Sequence, residues 1–391
     1  MLHTNRITSI LYLCASLLTS SYALSINSET SERTQKMNNN RPQTPKPPFP
    51  YAQEEVLFEN KAAHVTLSGT LTLPEGKAPF PAVILIAGMG PNDRDCSMFN
   101  HKLFLVIADH LTRQGIAVLR YDKRGVGKST GVYSTSLTSQ DFANDVQIAT
   151  DYLKTRTDII HNKIGLLGES EGAIIAPMIA AQSNNVAFLV LLAGAAITNV
   201  ESIADHITLQ IRADGASSEM ITEDSKIWKQ LLNIVITEPN FDNAAQQMHK
   251  AIEDYWQLLP ENLRQQTKKL PFAINMAKAD GFVAMFNSPW YRYFLNYNPA
   301  ATLRKVTAPV LALNGDTDFI TSSKKSLPII DQALKEAGNN DYTIMELPKM
   351  NHWFQECQTG AMSEYGTLEQ TISPKVLTII TDWILERTNN S

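Results

Sequence analysis

The chain has 391 residues, 43% of them hydrophobic and 19% charged, which is enough apolar material for a large buried core. Its net charge is −5 at pH 7 and it has no basic tract, so the sequence gives no footing for an electrostatic nucleic-acid binder. Three cysteines are too few for a disulfide framework.

The first residues read as a targeting segment. Arg6 precedes the apolar run Ile7 to Leu18, and Ser21-Tyr22-Ala23 puts small residues at the −3 and −1 positions of a cleavage site. The run is short for a bilayer span, so residues 1–23 are expected to be a cleaved signal peptide. The protein is then exported, periplasmic or secreted, with no stable membrane anchor after cleavage. Cys96 and Cys357 remain once Cys14 is removed. An oxidising compartment would let them pair, but two unpaired thiols are the simpler expectation. Residues 24–50 are rich in Ser, Thr, Asn, Gln and Pro and end in Pro45-Lys46-Pro47-Pro48-Phe49-Pro50. So little apolar surface cannot offset ordering entropy, and a disordered or extended linker is expected.

The folded domain is expected over residues 51–391. Glu55 to Phe58 and His64 to Leu73 alternate as half-buried strands do. Pro81 to Ala87 is a continuous apolar run that suits a central parallel strand, and the loop Gly88 to Asp95 follows. A helix from His101 to Gln114, a strand from Ile116 to Tyr121 and an amphipathic helix from Asp141 to Thr155 come next. Ile164 to Leu167 and Val186 to Leu192 are further strands. This alternation predicts an α/β fold with a mainly parallel central sheet and helices on both faces. Residues of about 197–290 break it with several helices and few strand signals: Glu201 to Ala213, Ser217 to Val235, Asn243 to Leu258 and a short one near Ala273. The pattern resumes with a strand at Ala308 to Asn314, a helix at Ser323 to Ala337, a strand at Tyr342 to Leu347 and a closing helix at Pro374 to Thr388. The helical block is therefore an insertion within one domain.

Between a predicted strand and a predicted helix lies Gly168-Glu169-Ser170-Glu171-Gly172. A serine on such a corner must take a strained backbone, and the flanking glycines let strand and helix approach. Ser170 is the candidate nucleophile, and the helix start beside it offers partial positive charge to an anion. Gly125-Val126-Gly127-Lys128-Ser129-Thr130 imitates a phosphate loop, but Asp122 stands where the pattern needs glycine. A nucleophilic serine needs a base and an acid that orients it. His352 follows the last predicted strand and is the natural base. Asp316 and Asp318 follow the strand before it and compete for the acid, the other being a turn residue.

These residues resemble the α/β-hydrolase superfamily, and within it the secreted esterase/lipase-like and serine-aminopeptidase-like branch. The resemblance runs from Tyr51 onward through Gly88-Met89-Gly90-Pro91-Asn92-Asp93-Arg94-Asp95, Leu119 to Ser129, the Ser170 pentapeptide and Asn351-His352. It implies that the acid follows a strand-end glycine as Gly-x-x-Asp, which favours Asp318, and that the insertion is a cap. It implies an oxyanion hole made of the Glu171 N–H, next after the nucleophile, and the Met89 N–H. Two departures stand out. Glu169 replaces the histidine common before the nucleophile, and Ala87-Gly88 replaces His-Gly. Asp93-Arg94-Asp95 and Asp122-Lys123-Arg124 are expected to form ion pairs that brace the oxyanion loop. Trp228, Trp256, Trp290, Tyr291 and Tyr293 are expected to be mainly cap core, with one or two lining a pocket.

The resulting expectation is a serine hydrolase that cleaves small-molecule carboxylic esters through an acyl-enzyme, with no metal or organic cofactor. A serine peptidase of the aminopeptidase or acyl-peptide type would share every residue named. It would add a carboxylate to anchor a substrate amine, for which Glu169, Glu171 or a cap acid could serve. A hydrolase-fold binding module without catalysis is disfavoured by the intact serine, aspartate and histidine. The sequence leaves the oligomeric state open.

Overall fold

The computed structural model describes residues 40–183 and 185–389. The expected signal peptide and residues 24–39 of the expected linker lie outside the described residues. Strands β1 (Ala52–Asn60), β2 (Val65–Leu73), β3 (Phe80–Ile86), β4 (Ala117–Tyr121), β5 (Ile159–Glu169), β6 (Leu189–Leu192), β7 (Val310–Gly315) and β8 (Tyr342–Leu347) form one sheet. Their spatial order is β1-β2-β4-β3-β5-β6-β7-β8. β2 runs antiparallel to both neighbours, and every pairing from β4 through β8 is parallel.

Helices α1 (Leu103–Arg113), α2 (Ser139–Lys154) and α3 (Glu171–Ala180) connect the central strands. The side chains of β3 alternate between two cores. Ala82, Ile84 and Ile86 pack with α2 and α3 on one face; Val83 and Leu85 pack with α1 on the other. Both faces are covered, which is why β3 reads as an unbroken apolar run. Every residue of α3 is buried, as expected of a helix that is apolar all round.

From β3 the chain crosses through α1 to β4, while from β5 it crosses through α3 to β6. β3 and β5 are neighbours, so their following loops leave in opposite directions. Such a switch point opens a crevice beyond the carboxyl ends of the strands, where ligands of open α/β sheets bind.

The insertion comprises α4 (Val200–Ala213), α5 (Ser218–Thr237), α6 (Phe241–Leu258), α7 (Glu261–Thr267), α8 (Ala279–Phe286), α9 (Pro289–Asn296) and α10 (Pro299–Leu303). It runs past the expected limit near 290 because Pro289 and Pro299 each start a helix. A missing N–H costs nothing at that position. Trp228 is fully buried against Phe282 and Phe286, with ring centroids 5.2 and 4.6 Å away, and is core as expected. Helices α11 (Ser323–Glu336), α12 (Met362–Tyr365) and α13 (Pro374–Asn389) complete the chain.

The linker expectation for 24–50 fails over its last residues. Arg41 is buried, and its guanidinium donates to the carbonyls of Phe99 (2.8 Å), Gly366 (3.1 Å) and Leu368 (3.1 Å). The Gln43 side chain donates to Ile372 O (2.8 Å) and accepts from the N–H of Thr371 (2.6 Å). These residues are held by satisfying backbone groups of a distant loop, a source of order that apolar content does not register.

Candidate active site

Ser170 stands alone between the last residue of β5 and the first of α3, with φ 55° and ψ −116°. A non-glycine residue there stores roughly 1–3 kcal/mol of strain and persists only where its surroundings enforce it. Its N–H donates to Leu192 O at 2.8 Å, which extends the β5–β6 ladder through the corner. The two glycines are needed for space. A Cβ on Gly168 would lie 2.1 Å from Gly172 O, and one on Gly172 would lie 2.0 Å from Ile86 O of β3.

His352 lies on the loop after β8 and Asp318 on the loop after β7; both are buried. His352 Nδ1 and Asp318 Oδ2 are 2.8 Å apart. The other Asp318 oxygen accepts from the N–H of Ile320 (2.9 Å) and Thr321 (2.8 Å), so the carboxylate cannot rotate freely. Asp316 instead accepts the Lys349 N–H at 2.6 Å, a link to the loop after β8, while the local turn bonds expected of it are made by Asp318. The His352 N–H donates to the Tyr365 hydroxyl at 3.1 Å, and Asn351 Oδ1 accepts from the N–H of Trp353 and Gln355, both at 3.0 Å.

The structure thus brings His352 and Asp318 together and sets Ser170 at the same edge of the sheet. It records no hydrogen bond between His352 and Ser170. The group facing His352 Nε2 is Glu169 Oε1, at 3.5 Å. Burial pushes His352 towards the neutral form, but the carboxylates of Asp318 and Glu169 outweigh it and raise its affinity for a proton. Burial likewise raises the Glu169 carboxyl, an effect opposed by His352, the Gly88 N–H and Lys123.

Gly88 is held through both of its peptide groups. Its N–H donates to Glu169 Oε2 at 3.0 Å, and its carbonyl accepts from Lys123 Nζ (2.5 Å) and Asn92 Nδ2 (2.9 Å). The Gly88–Met89 peptide is trans, so holding Gly88 O on one side aims the Met89 N–H to the other. Glu171 opens α3, where N–H groups have no intrahelical partner. Its side chain turns inward: Oε1 accepts from Ser139 Oγ and Trp290 Nε1, each at 2.7 Å, and Oε2 lies 3.6 Å from Lys123 Nζ. Lys123 also sits 4.5 Å from the centroid of Phe142.

The neighbouring polar runs pair as expected. Arg94 bridges Asp122 and Glu55 at 2.8 Å each, Arg120 meets Asp95, and Arg124 meets Asp145 at 2.6 Å. The imitation phosphate loop is a turn around Asp122, which accepts the Lys128 N–H at 2.9 Å. Cys96 and Cys357 are both buried and free. Among the described residues, no cluster of His, Cys, Asp or Glu is arranged to hold a metal, and no helix is long and apolar enough to cross a membrane.

Two contributions were not legible in the sequence. Trp290 of α9 reaches the residue after Ser170, and His206 of α4 lies buried with Nε2 3.5 Å from the Ser322 N–H, beside the Asp318 loop. Burial lowers His206 to about 4, so it is neutral at pH 7. Neither residue belongs to a spaced motif, and their partners lie more than a hundred positions away.

A serine thrown out at a switch point on a positive-φ corner, with a buried His–Asp pair beyond the last two strands, requires this strand order and this elbow. The chain has the α/β-hydrolase fold. A family model described as serine aminopeptidase, S33, matches residues 100–290, a span that includes Ser170 and ends before Asp318 and His352. The chain is 29% identical over 300 residues to esterase EstD of Thermotoga maritima, covering 75% of this chain and 60% of the length of that relative. Among solved structures it is similar to the α/β hydrolase GrgF from Penicillium sp. sh18, with TM-score 0.53, 15% identity, and coverage of 86% of this chain and 99% of that one. A hypothetical protein from Pseudomonas aeruginosa aligns with TM-score 0.51 and 15% identity over 92% of this chain and 100% of that one.

Proposed function

We propose that the protein is an exported serine hydrolase that cleaves small-molecule carboxylic esters. The observation that carries this reading is the buried His352–Asp318 pair beside the strained Ser170 corner. His352 Nε2 takes the Ser170 proton as the hydroxyl attacks the ester carbonyl, and Asp318 holds the tautomer and stabilises the imidazolium. The oxyanion meets the N–H groups of Glu171 and Met89, each contributing about 2.7–4 kcal/mol to lowering the barrier. His352 returns the proton to the leaving alcohol, and water, activated by the same histidine, then frees the acid.

The peptidase reading needs a carboxylate that reaches for a substrate amine. Glu169 and Glu171 are both spent on internal partners: Gly88 and His352 for the first, Ser139, Trp290 and Lys123 for the second. Of the three candidate anchors that leaves a cap acid, and the esterase relative favours esters. The test is turnover of p-nitrophenyl acetate and butyrate by residues 24–391, beside Ser170→Ala and a panel of aminoacyl-p-nitroanilides. Ester turnover that falls at least about 10³-fold in Ser170→Ala is expected. Dominant anilide turnover would move the protein to the peptidases. No turnover on either panel, with no labelling of Ser170 by a fluorophosphonate probe, would leave a binding module.

A further inference from the structure

We propose that Glu169 is a positioning residue of this hydrolysis: one carboxylate oxygen fixes the oxyanion loop while the other stabilises the charged form of His352 from its proton-exchanging side. The inference rests on the serine-hydrolase reading. A serine, histidine and aspartate need one carboxylate, on Nδ1, to orient the base. Here a second faces Nε2 at 3.5 Å. It cannot swing away, because Oε2 is tied to the Gly88 N–H at 3.0 Å. Glu169 and His352 are both buried, where a charge pair is screened far less than in water.

The consequence follows from which groups surround the imidazole. Asp318 faces Nδ1 from the loop after β7, Glu169 faces Nε2 from β5, and the Tyr365 hydroxyl of α12 meets the His352 N–H. His206 of α4 stands nearby in its neutral form. Around Glu169 itself lie the Lys123 ammonium and the buried Cys96 thiol. When His352 takes the Ser170 proton, the new imidazolium therefore sits between two anions. The same arrangement holds a proton on the resting histidine to higher pH, so the working base appears only once that proton has left. Glu169 and His352 titrate as a pair in which the last proton lost governs activity.

The experiment is the pH profile of kcat/KM for p-nitrophenyl butyrate in the full chain and in Glu169→Gln. Glutamine keeps an acceptor for the Gly88 N–H and removes the charge. The acid limb is expected to move at least about one pH unit lower, as for an opposite charge withdrawn from a site within 4–6 Å. A structural role alone would lower the rate without moving the limb. If Glu169→Gln does not fold, as judged by circular dichroism, Glu169→Ala carries the same loss of charge. An active wild type whose acid limb is unmoved in either folded variant overturns the role of Glu169 and leaves the hydrolase reading intact. A wild type with neither ester turnover nor fluorophosphonate labelling overturns both.

Discussion

The ammonium of Lys123 sits where three demands meet: the Gly88 carbonyl, the second oxygen of Glu171 and the face of Phe142. Lys123→Met keeps the length and apolar stem of the side chain and removes the donor. The Gly88 peptide is then held by Asn92 and Glu169 alone, and the Met89 N–H is held less firmly in its direction. If that donor acts chiefly in the transition state, kcat and kcat/KM for p-nitrophenyl butyrate should fall together, by roughly 10- to 100-fold, with KM nearly unchanged. At this scale the sequence was legible where chemistry imposes a local pattern. Ser170 sits in a spacing that steric demands dictate, and the structure shows the two glycine contacts responsible. Asp316 and Asp318 could not be told apart from their residues, because both fit a turn; only their partners, Lys349 and His352, separate them. The engagement of Glu169 was invisible for the same reason, since both of its partners lie far off in the chain.

Among elements, the βα alternation was readable because β3 and α3 are buried on every side and their residues say so. The first half of β5 was not, because Ile159-Ile160-His161-Asn162 mixes polar with apolar residues. The insertion holds a feature with its own pH signature. Asp224 of α5 is fully buried; Oδ1 accepts the Ile274 N–H at 3.0 Å, and Oδ2 makes no hydrogen bond among the described residues. Burial raises its carboxyl from 3.8 to about 7, with the Ile274 N–H, the nearby Trp228 indole and Lys278 opposing. Folding therefore favours the protonated acid. That stabilisation is fully present below pH 3.8, is lost as pH rises towards 7, and above that an ionised carboxylate remains poorly compensated. Asp224→Asn should melt higher than the wild type at pH 8, by roughly a few degrees, and the gap should close towards pH 4, as followed by circular dichroism.

For the molecule as a whole, the described residues begin at 40, with Arg41 and Gln43 fastened to Phe99 and to residues 366–372. That segment follows the loop bearing His352, and Gln355 ties the two by donating to Gln370 O at 2.7 Å. Arg41→Ala removes the donor to three carbonyls near the histidine loop and strands the buried one of Gly366. At about 1–3 kcal/mol for each group left buried without a partner, the melting temperature should fall by several degrees relative to the full chain. Composition could not anticipate this, since it weighs apolar content, and Arg41 works through backbone acceptors. The α/β class, by contrast, was open to reading because it is written in long apolar runs that no single contact can overturn. The hydrogen bond from Trp290 to Glu171 sets a condition on how such proteins can diversify. An inserted helical block is often regarded as an exchangeable module, free to be replaced when a lineage acquires new substrates. Here any replacement must supply a donor at that point, or leave the carboxylate beside the nucleophile to Ser139 and Lys123 alone, so the block and the catalytic strand are not free to change separately.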